Sequence, residues 1–312
     1  MTNIGDITIL SAIAEYKFLT TKQLSILCQR SIPVIRRRLR DLSEKRLVAI
    51  QERIFGEKVG RKEYVIIITD KGLKTLKDKG ILSLYANYIT NKTSEMVFID
   101  HDLLVNWFLI HLILIERVNQ RFKIFLLTKS SHHLTQGDAD HLLTMEYFSN
   151  SDKSGNPHTI IPDGVFTITD TKSKKVLLFF LEVDMRTETL ASPTQSPGDI
   201  RQKVNNYQIL FKHGIYERYN NIANCKLNGF RLLFLTNTLN RMESICRLVQ
   251  SMPPSNFIWV ANQQRVFHKG AAAEIWAHGG YYNKKSKSIL TERLAFNAPI
   301  YAQKNNVAVE LQ

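Results

Sequence analysis

The stretch Ser31–Leu42 constrains the fold of this chain more than any other. Ser31 is a good helix N-cap, because its hydroxyl can accept from a free N–H of the first turn, and Pro33 falls within that turn, where its missing amide hydrogen costs nothing. Ile32, Ile35, Leu39 and Leu42 then follow at spacings of 3, 4 and 3, which gathers them on one buried stripe and turns Arg36, Arg37 and Arg40 outward. A short helix with an apolar front and a cationic back needs a small domain around it, and the flanking sequence supplies one.

Upstream, Ile4, Ile7, Leu10 and Ala14 predict a first helix ending near Tyr16. Thr20 or Thr21 caps a short second helix, Lys22–Cys28, with Leu24 and Leu27 inward, and Gln29-Arg30 makes the turn into the third. Downstream, Leu47–Phe55 and Glu63–Thr69 alternate as strands about a polar, basic turn with two glycines, Gly56–Lys62, and Thr69-Asp70-Lys71-Gly72-Leu73 opens a further helix. Three helices followed by a hairpin is the order of a winged helix-turn-helix.

Charge indicates the partner. The 312 residues hold 42 Lys and Arg against 28 Asp and Glu, a formal charge of +14, which favours a polyanion. Residues 1–80 alone hold nine Lys and eight Arg against four Asp and five Glu, more than half of the excess. Arg36, Arg37 and Arg40 can fork onto phosphates or onto guanine O6 and N7, while Lys58, Arg61 and Lys62 at the hairpin tip face a neighbouring groove or backbone. Double-stranded DNA is therefore the expected ligand. A solvated basic face, a protein-docking module and an anionic membrane surface are the competing readings.

Cys28, Cys225 and Cys246 are odd in number and form no CxxC pair, which argues against a disulfide framework or a zinc ribbon and for a reducing, cytoplasmic setting. The start has no signal-peptide pattern. The apolar run Leu103–Ile115 is shorter than the ~20 residues of a membrane span and contains Asn106 and His111, so it reads as a buried helix and no membrane partner is expected.

The rest of the chain reads as an α/β domain. His101–Asn119 is a long helix with an inner stripe of Leu104, Phe108, Leu112 and Ile115; Phe122–Thr128 is a strand, and a short strand is expected around Leu142–Phe148. His132, His133, His141, Asp138 and Asp140 lie in a polar loop without metal-ligand spacing. Ile160–Ile168 and Val176–Asp184 form two strands joined by a polar turn. The second is apolar on both faces until Glu182 and Asp184, which share a side because strand side chains repeat every second residue. In an antiparallel hairpin Asp163, at the start of the first strand, comes beside them. Three gathered carboxylates repel unless a divalent cation or a lysine joins them, and Mg²⁺ or Mn²⁺ held by Asp163 and Glu182 would suit metal-dependent phosphodiester cleavage. Arg186 or Lys203 pairing with Glu182 and Asp184 is the structural alternative. Asp199–Phe211 is a helix with Lys203 and Tyr207 on one face; Phe230–Thr236 is a strand, Arg241–Gln250 a helix and Asn256–Val260 a last strand.

The motifs Phe18-Leu19-Thr20-Thr21-Lys22-Gln23-Leu24, Arg37-Arg38-Leu39-Arg40-Asp41-Leu42, Pro162-Asp163-Gly164, Phe180-Leu181-Glu182-Val183-Asp184 and Lys203-Val204-Asn205-Asn206-Tyr207 resemble the replication-relaxation family of mobile-element proteins, over roughly residues 5–235. That resemblance implies a DNA-binding protein of a plasmid or integrative element, acting in replication, relaxation or transfer beside other proteins of those processes. The second half is also similar to the PD-(D/E)XK nuclease fold, which implies catalytic roles for Asp163, Glu182 and Asp184. Position 184 is Asp where that pattern has Lys, and members that recruit the lysine from the next helix would assign its role to Lys203.

The expectation is thus a winged helix-turn-helix over 1–82, a linker over 83–99, a restriction-endonuclease-like mixed-sheet α/β domain over 100–283 and an extension over 284–312, whose Lys284-Lys285-Ser286-Lys287 is a candidate basic arm. Metal-dependent nicking by a DNA-bound protein stands beside a transcriptional regulator whose second domain is inactive and serves homodimerisation or interaction.

Overall fold

The computed structural model describes residues 4–52, 64–82, 99–127, 143–147, 158–186, 188–191, 199–290 and 294–298. The hairpin tip with Lys58, Arg61 and Lys62, the stretch 83–98, the loop histidines and the tail beyond 298 lie outside the described residues. The chain divides into two units, residues up to Ile110 in the first and His111 to the end of the described chain in the second.

The first unit has the expected winged helix-turn-helix order: α1 (Ile4–Tyr16), β1 (Leu19–Thr20), α2 (Thr21–Leu27), α3 (Ile32–Glu44), β2 (Val48–Glu52), β3 (Tyr64–Ile68) and α4 (Asp70–Asp78). The strands form an antiparallel sheet in the order β1-β3-β2, with Val48 opposite Ile68 and Leu19 opposite Ile66. Strand β1 escapes a sequence reading because two residues carry no period. Thr20 closes a capping box on α2, accepting from Gln23 N at 3.2 Å while Gln23 Oε1 accepts from Thr20 N at 2.9 Å. Thr69 caps α4. Ser31 precedes α3 in extended backbone but makes no side-chain capping bond.

The inward face of α1 differs from the expected stripe. Ile9, Leu10, Ile13 and Ala14 are buried and Ile4 is 87% exposed, because the helix lies against both β3 and α4 and buries the face those two elements share.

Helix α5 (Ile99–Val118) buries the expected Leu104, Phe108, Leu112 and Ile115, and every residue from Leu103 to Ile110 besides. Its first half belongs to the first unit. Ile99 and Leu103 join Phe18, Val65 and Ile67 in one core. Asn106 Nδ2 donates to the carbonyls of Tyr16 (3.0 Å) and Phe18 (2.6 Å), and Gln23 Nε2 donates to that of Leu103 (3.2 Å), so these two buried side-chain amides are matched as donors. Among the described residues no helix is long and apolar enough to cross a membrane.

The second unit is built on a mixed sheet in the order β11-β10-β9-β8-β7-β4, comprising β4 (Phe122–Leu127), β7 (Gly164–Asp170), β8 (Lys175–Asp184), β9 (Phe230–Thr236), β10 (Ile258–Asn262) and β11 (Ala277–His278). Strands β4, β7 and β8 are antiparallel, β8, β9 and β10 parallel, and β11 antiparallel to β10. Strands β5 (Met145–Tyr147) and β6 (His158–Ile160) pair separately. The apolar middle of β8 is explained by its central place, buried on both faces from Leu178 to Asp184.

Helices α6 (Ile200–Lys212) and α7 (Leu239–Gln250) lie side by side. Tyr207 of α6 brings its ring to 5.7 Å from Phe180, and Tyr219 and Phe230 close on the same phenyl ring at 5.5 and 4.8 Å. This identifies the face of β8 that carries Phe180, and hence Glu182, as the α6 side. Helix α8 (Gln263–Lys269), capped by Asn262, and β11 follow. Residues 284–290 are not loose: Trp276 and Lys287 exchange backbone hydrogen bonds of 3.0 and 2.8 Å, and Ser288, Ile289 and Leu290 are buried. His111, at the start of the second unit, is buried beside Phe267 at 6.2 Å, with both ring nitrogens lacking a hydrogen-bond partner among the described residues; burial pushes its pKa down to about 3.

Candidate functional site

Two sets of residues carry chemistry. The first lies on α3. Ile35, Leu39 and Leu42 are buried, and Arg36, Arg37 and Arg40 are exposed on the opposite side. Arg38, between them in sequence, turns back to pair with buried Asp6 at 3.6 Å. The helix thus keeps one arginine for its own unit and presents three to solvent.

The second set surrounds the C-terminal end of β8. Gly164 pairs with Leu181, so the residue preceding β7 falls beside Leu181–Val183. Asp163 N donates to Leu181 O at 3.0 Å, and Val183 N donates to Asp163 Oδ2 at 2.7 Å, which extends the ladder by a side chain. Glu182, 3% exposed, accepts from Tyr207 OH on Oε1 at 2.6 Å and from Lys203 Nζ on Oε2 at 2.9 Å. Lys203 also donates to Glu188 Oε1 at 2.7 Å. The i, i+4 spacing of Lys203 and Tyr207 delivers both to one carboxylate.

Asp184 has a different partner. It is 2% exposed, and Arg241 grips it through Nε on Oδ2 and Nη2 on Oδ1 (3.2 Å), while the same Nη2 donates to the Glu188 carbonyl at 2.6 Å. Arg186, offered by the sequence as a partner, contributes only its backbone N–H to Asp184 Oδ1, at 3.2 Å, and its side chain is exposed. Arg241 was missed for a topological reason. Asp184 lies opposite Thr236 in the parallel β8/β9 pair, and the helix entered through the Thr238 cap returns over that strand end. The signal, a capping Thr with Arg three residues on, has meaning only once β9 is known to neighbour β8.

The electrostatics follow from burial. Burial raises the Glu182 pKa, Lys203 opposes the rise and Asp163 adds to it, for a net increase. For Lys203, burial acts downward but the carboxylates of Glu182 and Glu188 outweigh it, and the ammonium is held above its ordinary value. Burial and then Glu182 push Tyr207 well up, so it remains a neutral donor. Lys203 is therefore a permanent cation already shared by two carboxylates, unsuited to act as a base. Of the other α6 residues considered, Gln208 is engaged by the carbonyls of Met252 and Pro254 at 2.6 and 3.1 Å, and Arg201 is exposed.

As arranged, these residues do not form a ready site for a divalent ion. Among the described residues no group of three or more His, Cys, Asp and Glu side chains is disposed to hold a metal. An ion on Asp163 and Glu182 would have to share the oxygens that Val183 N, Tyr207 and Lys203 now engage. Glu188 Oε2 is buried without a hydrogen-bond partner among the described residues, but one oxygen is not a coordination shell.

A family model described as replication-relaxation matches residues 10–224, more than half of the chain. The chain belongs to the replication-relaxation family. In this replication-relaxation protein the match takes in α3 and the set Asp163, Glu182, Asp184 and Lys203, and it ends before Arg241. Solved structures with some likeness include a MarR family transcriptional regulator from Silicibacter pomeroyi DSS (21% identity, 32% of this chain and 68% of that one, TM-score 0.21). Another is Bacillus subtilis PadR in complex with operator DNA (16% identity, 49% of this chain and 85% of that one, TM-score 0.23). At such scores neither adds to what the topology of the first unit gives. No curated protein sequence matches the chain.

Proposed function

We propose that this replication-relaxation protein is a DNA-binding factor of a plasmid or integrative element, acting in replication, relaxation or transfer, that holds duplex DNA with α3. The observation that carries the reading is the division of labour on that helix: Ile35, Leu39 and Leu42 anchor it, Arg38 is spent on Asp6, and Arg36, Arg37 and Arg40 face solvent together. Guanidinium groups on an anchored helix are what phosphate and guanine recognition require. Lys58, Arg61 and Lys62, which the sequence puts in the turn between the two strands, complete the proposed contact. The test is duplex binding by the Arg36→Gln/Arg37→Gln/Arg40→Gln protein. If all three arginines meet phosphates, the slope of log affinity against log salt falls by about 3, at roughly 0.9 per contact, with the fold retained. Wild-type affinity and slope in that variant would refute the reading.

For the second unit the reading is a non-cleaving domain used for assembly or dimerisation, supported by the internal matching of Asp184 by Arg241 and of Glu182 by Lys203 and Tyr207. The discriminating assay is supercoiled-plasmid nicking with Mg²⁺ or Mn²⁺, wild type against Glu182→Ala at matched DNA binding. Equal, background-level nicking is expected. Nicking by wild type that disappears in a Glu182→Ala protein of unchanged DNA affinity would overturn this reading and give Asp163, Glu182 and Lys203 catalytic roles.

A further inference from the structure

The hairpin that joins β7 to β8 turns at the opposite end of β8 from Glu182, and its turn is basic. Asp170, the last residue of β7, is the register partner of Lys175, the first of β8, and Thr171, Lys172, Ser173 and Lys174 connect them. Lys172, Lys174 and Lys175 are all exposed, and among the described residues none of their ammonium groups makes an ion pair or a hydrogen bond.

The two carboxylates that neighbouring residues bring here are already engaged. Asp170 accepts from Arg121 Nε on Oδ1 and Arg121 Nη2 on Oδ2, both at 2.7 Å, and from Ser173 Oγ on Oδ2 at 2.7 Å. Its Oδ1 also accepts from the backbone N–H groups of Lys172 and Ser173 at 3.0 and 3.4 Å. The Arg121 fork, aided by Ser173 and those N–H groups, holds the Asp170 carboxyl well below the usual carboxylate range. Glu116, in the last turn of α5, gives Oε1 to Lys123 Nζ at 2.8 Å and Oε2 to Ile124 N at 3.1 Å. Arg121 and Lys123 thus balance Asp170 and Glu116, and the three turn lysines are in excess.

The turn is also fixed. Thr171 donates to the Arg121 carbonyl through both its N–H (2.9 Å) and its hydroxyl (2.8 Å), which ties the turn to the chain entering β4. Lys174 sits at φ 55°, in the left-handed region where glycine or asparagine is less strained. Chain reversal therefore accounts for Asp170 and Ser173 but not for a lysine at that position, nor for two more beside it. Like charges held this close repel one another until an anion enters. Lysine presents a compact charge on a flexible stem and no planar fork, which suits phosphate oxygens better than base edges.

We propose that Lys172, Lys174 and Lys175 form a second DNA contact, on the mixed-sheet unit, that takes the phosphodiester backbone without regard to sequence. The choice of DNA as the polyanion rests on the function proposed for α3; the excess charge on a fixed turn does not. Arg121 and Asp170 act as positioning residues that shape the turn.

The test uses the full chain and two labelled duplexes of unrelated sequence, with Lys172→Gln/Lys174→Gln/Lys175→Gln and, as a variant that keeps the charge, Lys172→Arg/Lys174→Arg/Lys175→Arg. If each lysine meets a phosphate, the slope of log affinity against log salt falls by about 2.7 in the glutamine variant, at roughly 0.9 per contact, and equally on both duplexes. The arginine variant should keep the wild-type slope. The α3 triple variant is measured in parallel. Wild-type behaviour of the glutamine variant overturns this inference, and a slope lost in the α3 variant at the same time leaves the proposed function standing; the reverse pattern does the opposite. An arginine variant that loses the slope as fully as the glutamine variant also overturns it, since charge is then not the cause. So does binding to anionic phospholipid vesicles that the glutamine variant loses while its duplex slopes stay unmoved.

Discussion

Replacing Arg241 by Met tests whether Asp184 is a structural anion. The substitution removes the fork on a carboxylate that is almost fully buried, leaving it, among the described residues, the backbone N–H of Arg186 as donor, and it also releases the Glu188 carbonyl. Each charge-assisted hydrogen bond contributes about 1.5–3 kcal/mol, and stranding one member of a buried ion pair costs about 3–5 kcal/mol in all. For a unit of this size 1 kcal/mol moves Tm by about 2–4 °C, so the second unit should melt about 6–20 °C lower. Tryptophan fluorescence resolves it, since buried Trp259 and Trp276 report on the second unit and Trp107 on the first. Asp184→Asn added to Arg241→Met should recover much of the loss, because the stranded charge is then gone. A shift below about 2 °C in the single variant, or no recovery in the double, would refute the reasoning.

Further outcomes follow from burial and backbone geometry. Because the folded Glu182 pKa lies above its ordinary 4.5, its stabilising contribution is full below that value and declines as pH rises through the folded pKa; Glu182→Gln should lose less stability than wild type over that rise, read as urea midpoints. His111 is the mirror case: the unfolded imidazole takes a proton below 6.5 and the folded one only near 3, so wild type loses up to about 4–5 kcal/mol on acidification through that window. His111→Leu should flatten this part of the acid-unfolding curve. Gly280→Ala should lower the Tm of the second unit by more than the ~1 kcal/mol equivalent of a favourable-site change, since its φ of 77° and the Cys246 carbonyl both exclude a Cβ.

What the sequence revealed, and what it concealed, depends on how local the cause is. The buried and exposed sides of α3 follow from spacing within one helix, and the central place of β8 from an apolar run that has no solvated face. The meeting of Asp163 with Val183 follows from one hairpin, and that of Lys203 and Tyr207 with Glu182 from one helix laid back on the strand before it. The pairing of Arg241 with Asp184 required knowing that β9, some fifty residues on, runs parallel beside β8. The buried side of α1 was misjudged because α4 and β3, both later in the chain, decide which face is covered. The folding back of residues 284–290 onto Trp276 was hidden for the same reason, since a polar basic tetrad looks the same on an arm and on a sheet edge.

The dependence of the winged helix on α5 determines where the protein can be cut. A fragment ending at residue 82 would lack Ile99 and Leu103, opening the core around Phe18, Val65 and Ile67, and the carbonyls of Tyr16 and Phe18 would lose the Asn106 amide. Such a piece would carry a fresh apolar hollow and tend to self-associate, so weak DNA binding by it would say nothing about the intact protein. No cut before Ile99 therefore leaves the winged helix whole, because that core takes its last residues from the first half of α5.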